Sequence, residues 1–205
     1  FLGFAGILIT SFAGLLVGGI AGYYGGWIDN LLMRGVEVIL SIPSFYLLLA
    51  LAAVLPVEMS STLRFFLIII ILSFIGWAGM ARVIRGMVLS IKEEDYITAA
   101  KAIGAKDLRI IVKHILPRTS TYVIVRATLA IPGYIIMESA LSFIGLGIQQ
   151  PEASWGNMLS AAQSVTKMTS FPWLLLPGVL IFVAVLSFNL LGDGLRDALD
   201  PKAKV

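Results

Sequence analysis

The stretch Glu94 to Pro117, E-D-Y-I-T-A-A-K-A-I-G-A-K-D-L-R-I-I-V-K-H-I-L-P, is a polar island between long apolar segments. Its spacing predicts two short amphipathic helices joined at a glycine. In the first, Tyr96, Ala99, Ala100 and Ile103 fall at i, i+3, i+4 and i+7, which is one helical face. Asp95 is placed to cap the start of this helix. Gly104 is placed to end it, because glycine takes the left-handed C′ conformation without a Cβ penalty. In the second helix, Leu108, Ile111, Val112, Ile115 and Leu116 repeat the spacing. Lys106, Arg109, Lys113 and His114 take the other faces, and Pro117 is expected to stop the helix. On pattern alone, such a pair also suits an anchor lying flat on a membrane surface.

The surrounding composition sets the class. The chain has 205 residues, 59% hydrophobic and 13% charged. That is too apolar for a soluble domain. Apolar runs of about 20 residues cross a hydrocarbon core of roughly 30 Å as helices. The expected class is an all-α, polytopic membrane protein. Cysteine is absent and there is one histidine, which leaves no disulfide framework and no thiolate or His-rich metal site. Gly-Lys does not occur, so the chain carries no Walker A loop. H-E-x-x-H and G-x-S-x-G are also absent. The expectation is a non-enzyme with no catalytic site, cofactor or metal of its own. The chain begins at Phe1 inside an apolar segment, with no charged region before it, and is read as a fragment without a signal peptide.

Five apolar segments are predicted. The first, 1–24, carries glycines 14, 18, 22 and 26 at intervals of four, a small-xxx-small seam for close helix packing. Gly-Tyr-Tyr-Gly-Gly-Trp-Ile-Asp (22–29) is read as a turn with interfacial aromatics, and 25–35 as a loop. The second segment, 36–55, contains Pro43, where a kink or a fresh helix start is expected. The third, 65–90, ends with Arg82 and Arg85 on one face, either snorkelling to water or paired with the polar loop. The fourth, 122–144, holds Arg126, Glu138 and a Pro132-Gly133 discontinuity. A connection over 141–172 with Trp155 is expected to pack as a small cap. The fifth segment is 173–191. Twelve of the 15 Lys and Arg fall on the side that holds the 25–35 loop, the 90–120 stretch and the C-terminus. Arg64 and Lys167 fall opposite, and Arg126 lies within a segment. The positive-inside rule therefore makes the 94–117 stretch and the C-terminus cytoplasmic.

The order Ala99-Ala100, then Gly104, then Leu116-Pro117 resembles the EAA loop of permease subunits of binding-protein-dependent ABC importers. Thr98 stands where that family has glutamate, and His114 where it has isoleucine. Leu-Met-Arg (32–34), Leu-Ser-Ile-Pro (40–43), Ala-Arg-Val-Ile-Arg-Gly (81–86), Leu-Ser-Phe-Ile-Gly-Leu-Gly (141–147), Ser-Trp-Gly-Asn-Met-Leu (154–159) and the 189–201 stretch extend the resemblance over the chain. They are similar to the C-type permease of dipeptide, oligopeptide and nickel importers. The resemblance implies a type I ABC importer transmembrane domain over 1–192, with a cytoplasmic coupling loop over 92–118, an extracytoplasmic loop over 146–172 and a cytoplasmic tail over 193–205. It implies a prokaryotic cytoplasmic (inner) membrane location and one further transmembrane helix before residue 1. The implied partners are a second homologous permease, two ATPases that carry ATP and Mg, and an extracytoplasmic solute-binding protein, with no nucleic acid.

The coupling residues expected from it are Tyr96, Ala99, Ala100, Gly104, Ala105, Leu108 and Arg109. Glu138, with Pro132 and Gly133, is the candidate for the translocation path, because ionisable groups in apolar segments usually face a bundle interior or a water-filled path. Arg126 is expected to snorkel. Trp155 is read either as a contact to the binding protein or outer gate, or as an interfacial anchor. His114 is read as solvated or partner-facing. Peptides are the expected solute and nickel complexes the alternative. A gradient-driven secondary transporter and a purely structural membrane subunit stay open beside them.

Overall fold

The structure is a computed structural model that describes residues 2–56 and 59–199, with side chains from Phe4 onward. Among these residues it is all helix and connection. Helix α1 spans Leu2–Tyr24, α2 Gly26–Ser41, α3 Ser44–Ala53 and α4 Ser61–Ile91. Two short helices follow, α5 Asp95–Ala102 and α6 Asp107–Ile110, then a π-helical turn Ile111–Ile115 that opens directly into α7, Leu116–Phe143. Helices α8 (Trp155–Ser160) and α9 (Val165–Ser170) lie in the next connection, and α10 spans Leu176–Leu199. Four helical stretches are long and apolar enough to cross a membrane, or five if the bent pair α2–α3 is one span. The five segments expected from the sequence follow this order, and their number is met if α2–α3 is one span.

Several boundaries differ, each for a local reason. The glycine-rich turn shrinks to Gly25, with φ 65°. Helix α2 starts at once, so the expected 25–35 loop is helical. Pro43 does start a fresh helix: α2 ends at Ser41 and α3 begins at Ser44. Pro117 does not end the second loop helix. Proline lacks the N–H of an α-turn and its ring crowds the carbonyl four residues back. Here the preceding turn is widened instead, with the Leu116 N–H bonded five residues back to the Ile111 carbonyl, and the chain stays helical. Pro132 likewise sits inside one continuous helix, so the predicted Pro132-Gly133 discontinuity is absent. Of the connection expected over 141–172, residues 141–143 still belong to α7, and the rest carries the short helices α8 and α9. Helix α10 runs past residue 192 to Leu199; residues 200–205 of the expected tail, with Lys202 and Lys204, lie outside the described residues.

The chain divides into two compact units: Phe1–Ile7, Pro43–Leu72 and Thr128–Gly194 form one, and Leu8–Ile42, Ser73–Ala127 and Leu195–Val205 the other. In the second unit the glycine seam packs α1 on α4. A Cβ on Gly14 would come within 2.7 Å of the Met80 side chain, one on Gly22 within 2.8 Å of Val88, and one on Gly18 would fall on the Ala81 carbonyl oxygen. Gly26, the fourth predicted member, meets nothing and is the first residue of α2. Small residues let the two backbones approach, and dispersion between them replaces the hydrophobic drive that lipid cannot supply. Arg85 on α4 grips Asp29 on α2, Nε to Oδ1 and Nη2 to Oδ2, both at 2.5 Å. Pairing therefore wins over snorkelling, and the partner is α2 rather than the polar loop. Charge-assisted bonds of this kind are worth about 1.5–3 kcal/mol each. Asp29→Asn is expected to lower the thermal midpoint of the purified subunit by several degrees; an unchanged midpoint would show the pair to be dispensable.

Candidate functional site

Two sites emerge, one in each unit. The first is the 94–117 loop. Helix α5 is capped by Glu94 without a side-chain bond, and Asp95 is its first residue rather than its cap. As an acidic first-turn residue, Asp95 still favours the helix through the macrodipole. The C-terminal end is as expected: Gly104 takes φ 81°. Its N–H donates to the Lys101 carbonyl at 2.9 Å, and the Ala105 N–H donates to the Ala100 carbonyl at 3.0 Å, the two bonds of a Schellman ending.

The loop packs on α4 through Ile97, Ala100, Ile110 and Ile115, which share a core with Ile84, Val88 and Ile91. Of these four, Ala100 and Ile115 lie on the faces that simple periodicity selects. Ile97 and Ile110 stand outside the predicted stripes, while Ile103 is 87% exposed and Leu108 72% exposed. Ile103 falls past the end of α5, and the π-turn adds a residue to its turn, which shifts the phase of every side chain around it. Of the expected coupling residues, Ala99, Gly104, Leu108 and Arg109 are exposed; Tyr96 and Ala105 pack partly into the core, and Ala100 is buried. Ile103 and Val112 complete the outer apolar surface. Tyr23, at the end of α1, ties the loop down: its hydroxyl donates to Asp107 Oδ1 at 2.6 Å, and Lys101 Nζ lies over its ring at 5.8 Å. Tyr96 stacks loosely with His114 and carries Arg118 over its face.

The second site is a cavity of about 460 Å³ in the other unit, lined by Phe65, Ile68, Ile69 and Leu72 of α4, Ile131, Tyr134, Ile135 and Glu138 of α7, and Ile148, Trp155 and Met158 of the connection that follows. Glu138, expected on the path, lines it; Pro132 is buried and Gly133 exposed, and neither lines it. Trp155 faces the cavity. The Ser-Trp-Gly-Asn motif explains this placement. Ser154 Oγ accepts from the Asn157 N–H, and Asn157 Oδ1 accepts from the Ser154 N–H, each at 3.2 Å. That reciprocal box starts α8. Gly156 lies so close to the Ser139 carbonyl that a Cβ would overlap it. The mark of the box in the sequence is Ser-x-x-Asn at 154–157.

Ser142 is the residue that sequence reasoning missed. It is 2% exposed. Its hydroxyl donates to Glu138 Oε1 at 2.6 Å and accepts the Ile148 N–H at 2.9 Å. Arg64, expected among the cations of the opposite side, is 3% exposed. Its guanidinium donates to the carbonyls of Pro56 at 2.6 Å and Leu146 at 3.4 Å. Ser61 and Thr62 bond to Gln149 and Glu152. The 144–152 turn is thus tied both to α4 and to the helix that carries Glu138. Arg126 is exposed. Among the described residues no group of His, Cys, Asp and Glu could hold a metal ion.

The architecture is that of a multi-pass helical membrane domain with a polar loop anchored on α4. The chain belongs to the family of binding-protein-dependent transport system inner membrane components, whose pattern matches residues 14–205. It is similar to the oligopeptide transport system permease protein OppC of Bacillus subtilis (strain 168), 38% identical over 205 residues, covering 100% of this chain and 65% of that protein. It is 43% identical to the dipeptide transport system permease protein DppC of the same organism, over 100% of this chain and 62% of that one. The OppC of Haemophilus influenzae is 41% identical over 98% of this chain and 62% of its own length. The chain therefore spans a little under two thirds of these relatives. In backbone it is similar to the crystal structure of an amino acid ABC transporter with histidines, with a TM-score of 0.67 over 97% of this chain and 89% of that chain, at 19% identity. The fold is that of a type I importer membrane domain.

Proposed function

We propose that the chain is a permease subunit of an ATP-driven peptide importer, coupling solute passage to ATPases that bind at its 92–118 loop. The carrying observation is the two-sided construction of that loop. Ile97, Ala100, Ile110 and Ile115 anchor it, while Ile103, Leu108 and Val112 are left in the open beside Gly104. Apolar side chains held outward on a rigid, capped loop suit insertion into a partner's groove. A surface anchor would also use apolar residues, but the family membership and the similarity to peptide permeases favour an ATPase partner. The Lys and Arg distribution supports a cytoplasmic loop and C-terminus in a prokaryotic inner membrane, with the 146–172 connection outside. A second permease, two ATPases that bind ATP and Mg, and a solute-binding protein complete the proposed assembly.

The test is reconstitution of the full-length subunit with these partners in proteoliposomes. Peptides delivered by the binding protein are expected to stimulate ATP hydrolysis. Stimulation by nickel chelates alone would replace the solute and keep the mechanism. Uptake that persists without ATP would overturn the mechanism in favour of an ion gradient.

A further inference from the structure

The geometry points to the Glu138 cavity as a recognition subsite for a primary ammonium carried beside an apolar side chain, the free amino-terminal residue of a peptide. This rests on the peptide-importer reading above and adds to it a site in the membrane subunit itself. The walls, including Phe65, Ile131, Trp155 and Met158, are mostly apolar; Tyr134 and Ser154 add hydroxyls, and among the described residues Glu138 is the only acidic one on them. The volume, about 460 Å³, lies in the range of roughly 300–1,000 Å³ typical of small-ligand sites. A carboxylate facing apolar walls is costly unless a cation or a set of donors meets it. Among the described residues no Lys or Arg pairs with Glu138. Its partners are the Ser142 hydroxyl at 2.6 Å and, more distantly, the Ser139 hydroxyl at 3.5 Å. A carboxylate has capacity for about four acceptor contacts, so acceptor sites remain for an ammonium.

The carboxylate is also aimed. The Ile148 N–H holds the Ser142 oxygen, which orients the Ser142 hydroxyl proton toward Glu138. The turn that supplies this N–H fits only because Gly147 lacks a side chain, since a Cβ there would lie 2.6 Å from the Ser142 nitrogen and 2.7 Å from its Cα. Ser142 is thus a positioning residue, and the Leu-Ser-Phe-Ile-Gly-Leu-Gly stretch is the frame that sets Glu138 on the cavity wall. Charge complementarity selects an amine, and the walls select an apolar neighbour.

The experiment uses the full importer in nanodiscs without its binding protein, so that any amine preference of that protein plays no part. A tripeptide with photo-leucine at its free amino terminus and its N-acetylated twin are crosslinked to the complex, and the labelled residues are mapped by mass spectrometry. Labelling at Ile131, Trp155 and Met158 is expected, favouring the free amine by about tenfold, the factor that 1.4 kcal/mol supplies. Glu138→Gln, which keeps shape and an acceptor for Ser142, is expected to abolish the preference; Ser142→Ala is expected to reduce the ratio. Equal labelling by both peptides, a preference unchanged by Glu138→Gln, or a cavity labelled by neither peptide because lipid or another subunit fills it would overturn the proposal. If the Gln variant does not assemble, the two peptides on the wild-type complex still decide. Peptide-stimulated ATP hydrolysis with the binding protein, read on the same preparation, separates the two levels. Its absence defeats the importer reading, whereas stimulation without amine-selective labelling defeats only this site.

Discussion

Gly18→Val is expected to reduce the yield of assembled, monodisperse complex by about tenfold or more, whereas Gly19→Ala, one residue along, leaves it unchanged or slightly raised. A Cβ at residue 18 would overlap the Ala81 carbonyl oxygen and lie 2.9 Å from the Ile84 Cβ, while a Cβ at residue 19 meets nothing within 4 Å. The obstacle at residue 18 is backbone, so no rotamer change relieves it and α1 must move off α4. Overpacking of this kind costs typically about 1–3 kcal/mol, and more where the backbone cannot yield. At residue 19 the change removes a helix-interior glycine, worth up to about 1 kcal/mol. Size-exclusion yield and the thermal midpoint of the two variants are the measurements. Equal behaviour of both would mean that the seam does not hold α1 to α4.

Gly104→Pro is expected to uncouple ATP hydrolysis from solute delivery. The native φ is 81° and proline holds φ near −65°. The substitution also removes the N–H that bonds to the Lys101 carbonyl, and it disfavours the helix-like backbone of Ile103, with φ −85° and ψ 10°. The Schellman ending is lost, and the outward setting of Ile103 and Leu108 is lost with it. Gly104→Ala keeps the N–H and carries only the left-handed penalty of about 1–2 kcal/mol, so it is expected to be mild. Leu108→Asp, at a 72% exposed position, leaves the fold alone and is expected to weaken ATPase docking. The readout is stimulated hydrolysis in complexes that still assemble. Full coupling in the proline variant would remove the loop from the proposed mechanism.

Much of the candidate loop was legible because its signals are local. Gly104 announces a left-handed ending, and its two cap bonds form within the same six residues. The direction of the loop helices was not legible. Periodicity nominated Tyr96, Ala99, Ala100 and Ile103; the core took Ala100 and part of Tyr96, left Ala99 and Ile103 outside, and added Ile97 and Ile110. An eight-residue helix has little amphipathic signal of its own, and the π-turn before Pro117 changes the phase. At the cavity, Glu138 was visible as a charge in an apolar segment. Its partner Ser142 was not, because a serine in a helix carries no sequence mark of the carboxylate it meets.

The sequence by itself determined the class, the order of the apolar segments, the break at Pro43 and the glycine seam. These follow from transfer free energy, from the φ of proline and from the absence of a Cβ, each a property of a residue and its near neighbours. Only the tertiary structure decided that Arg85 pairs with Asp29, that Tyr23 fastens the loop at Asp107, and that Trp155 and Glu138 share one cavity. Those residues lie far apart in the chain. Their meeting depends on how whole helices pack, which no local window of sequence encodes.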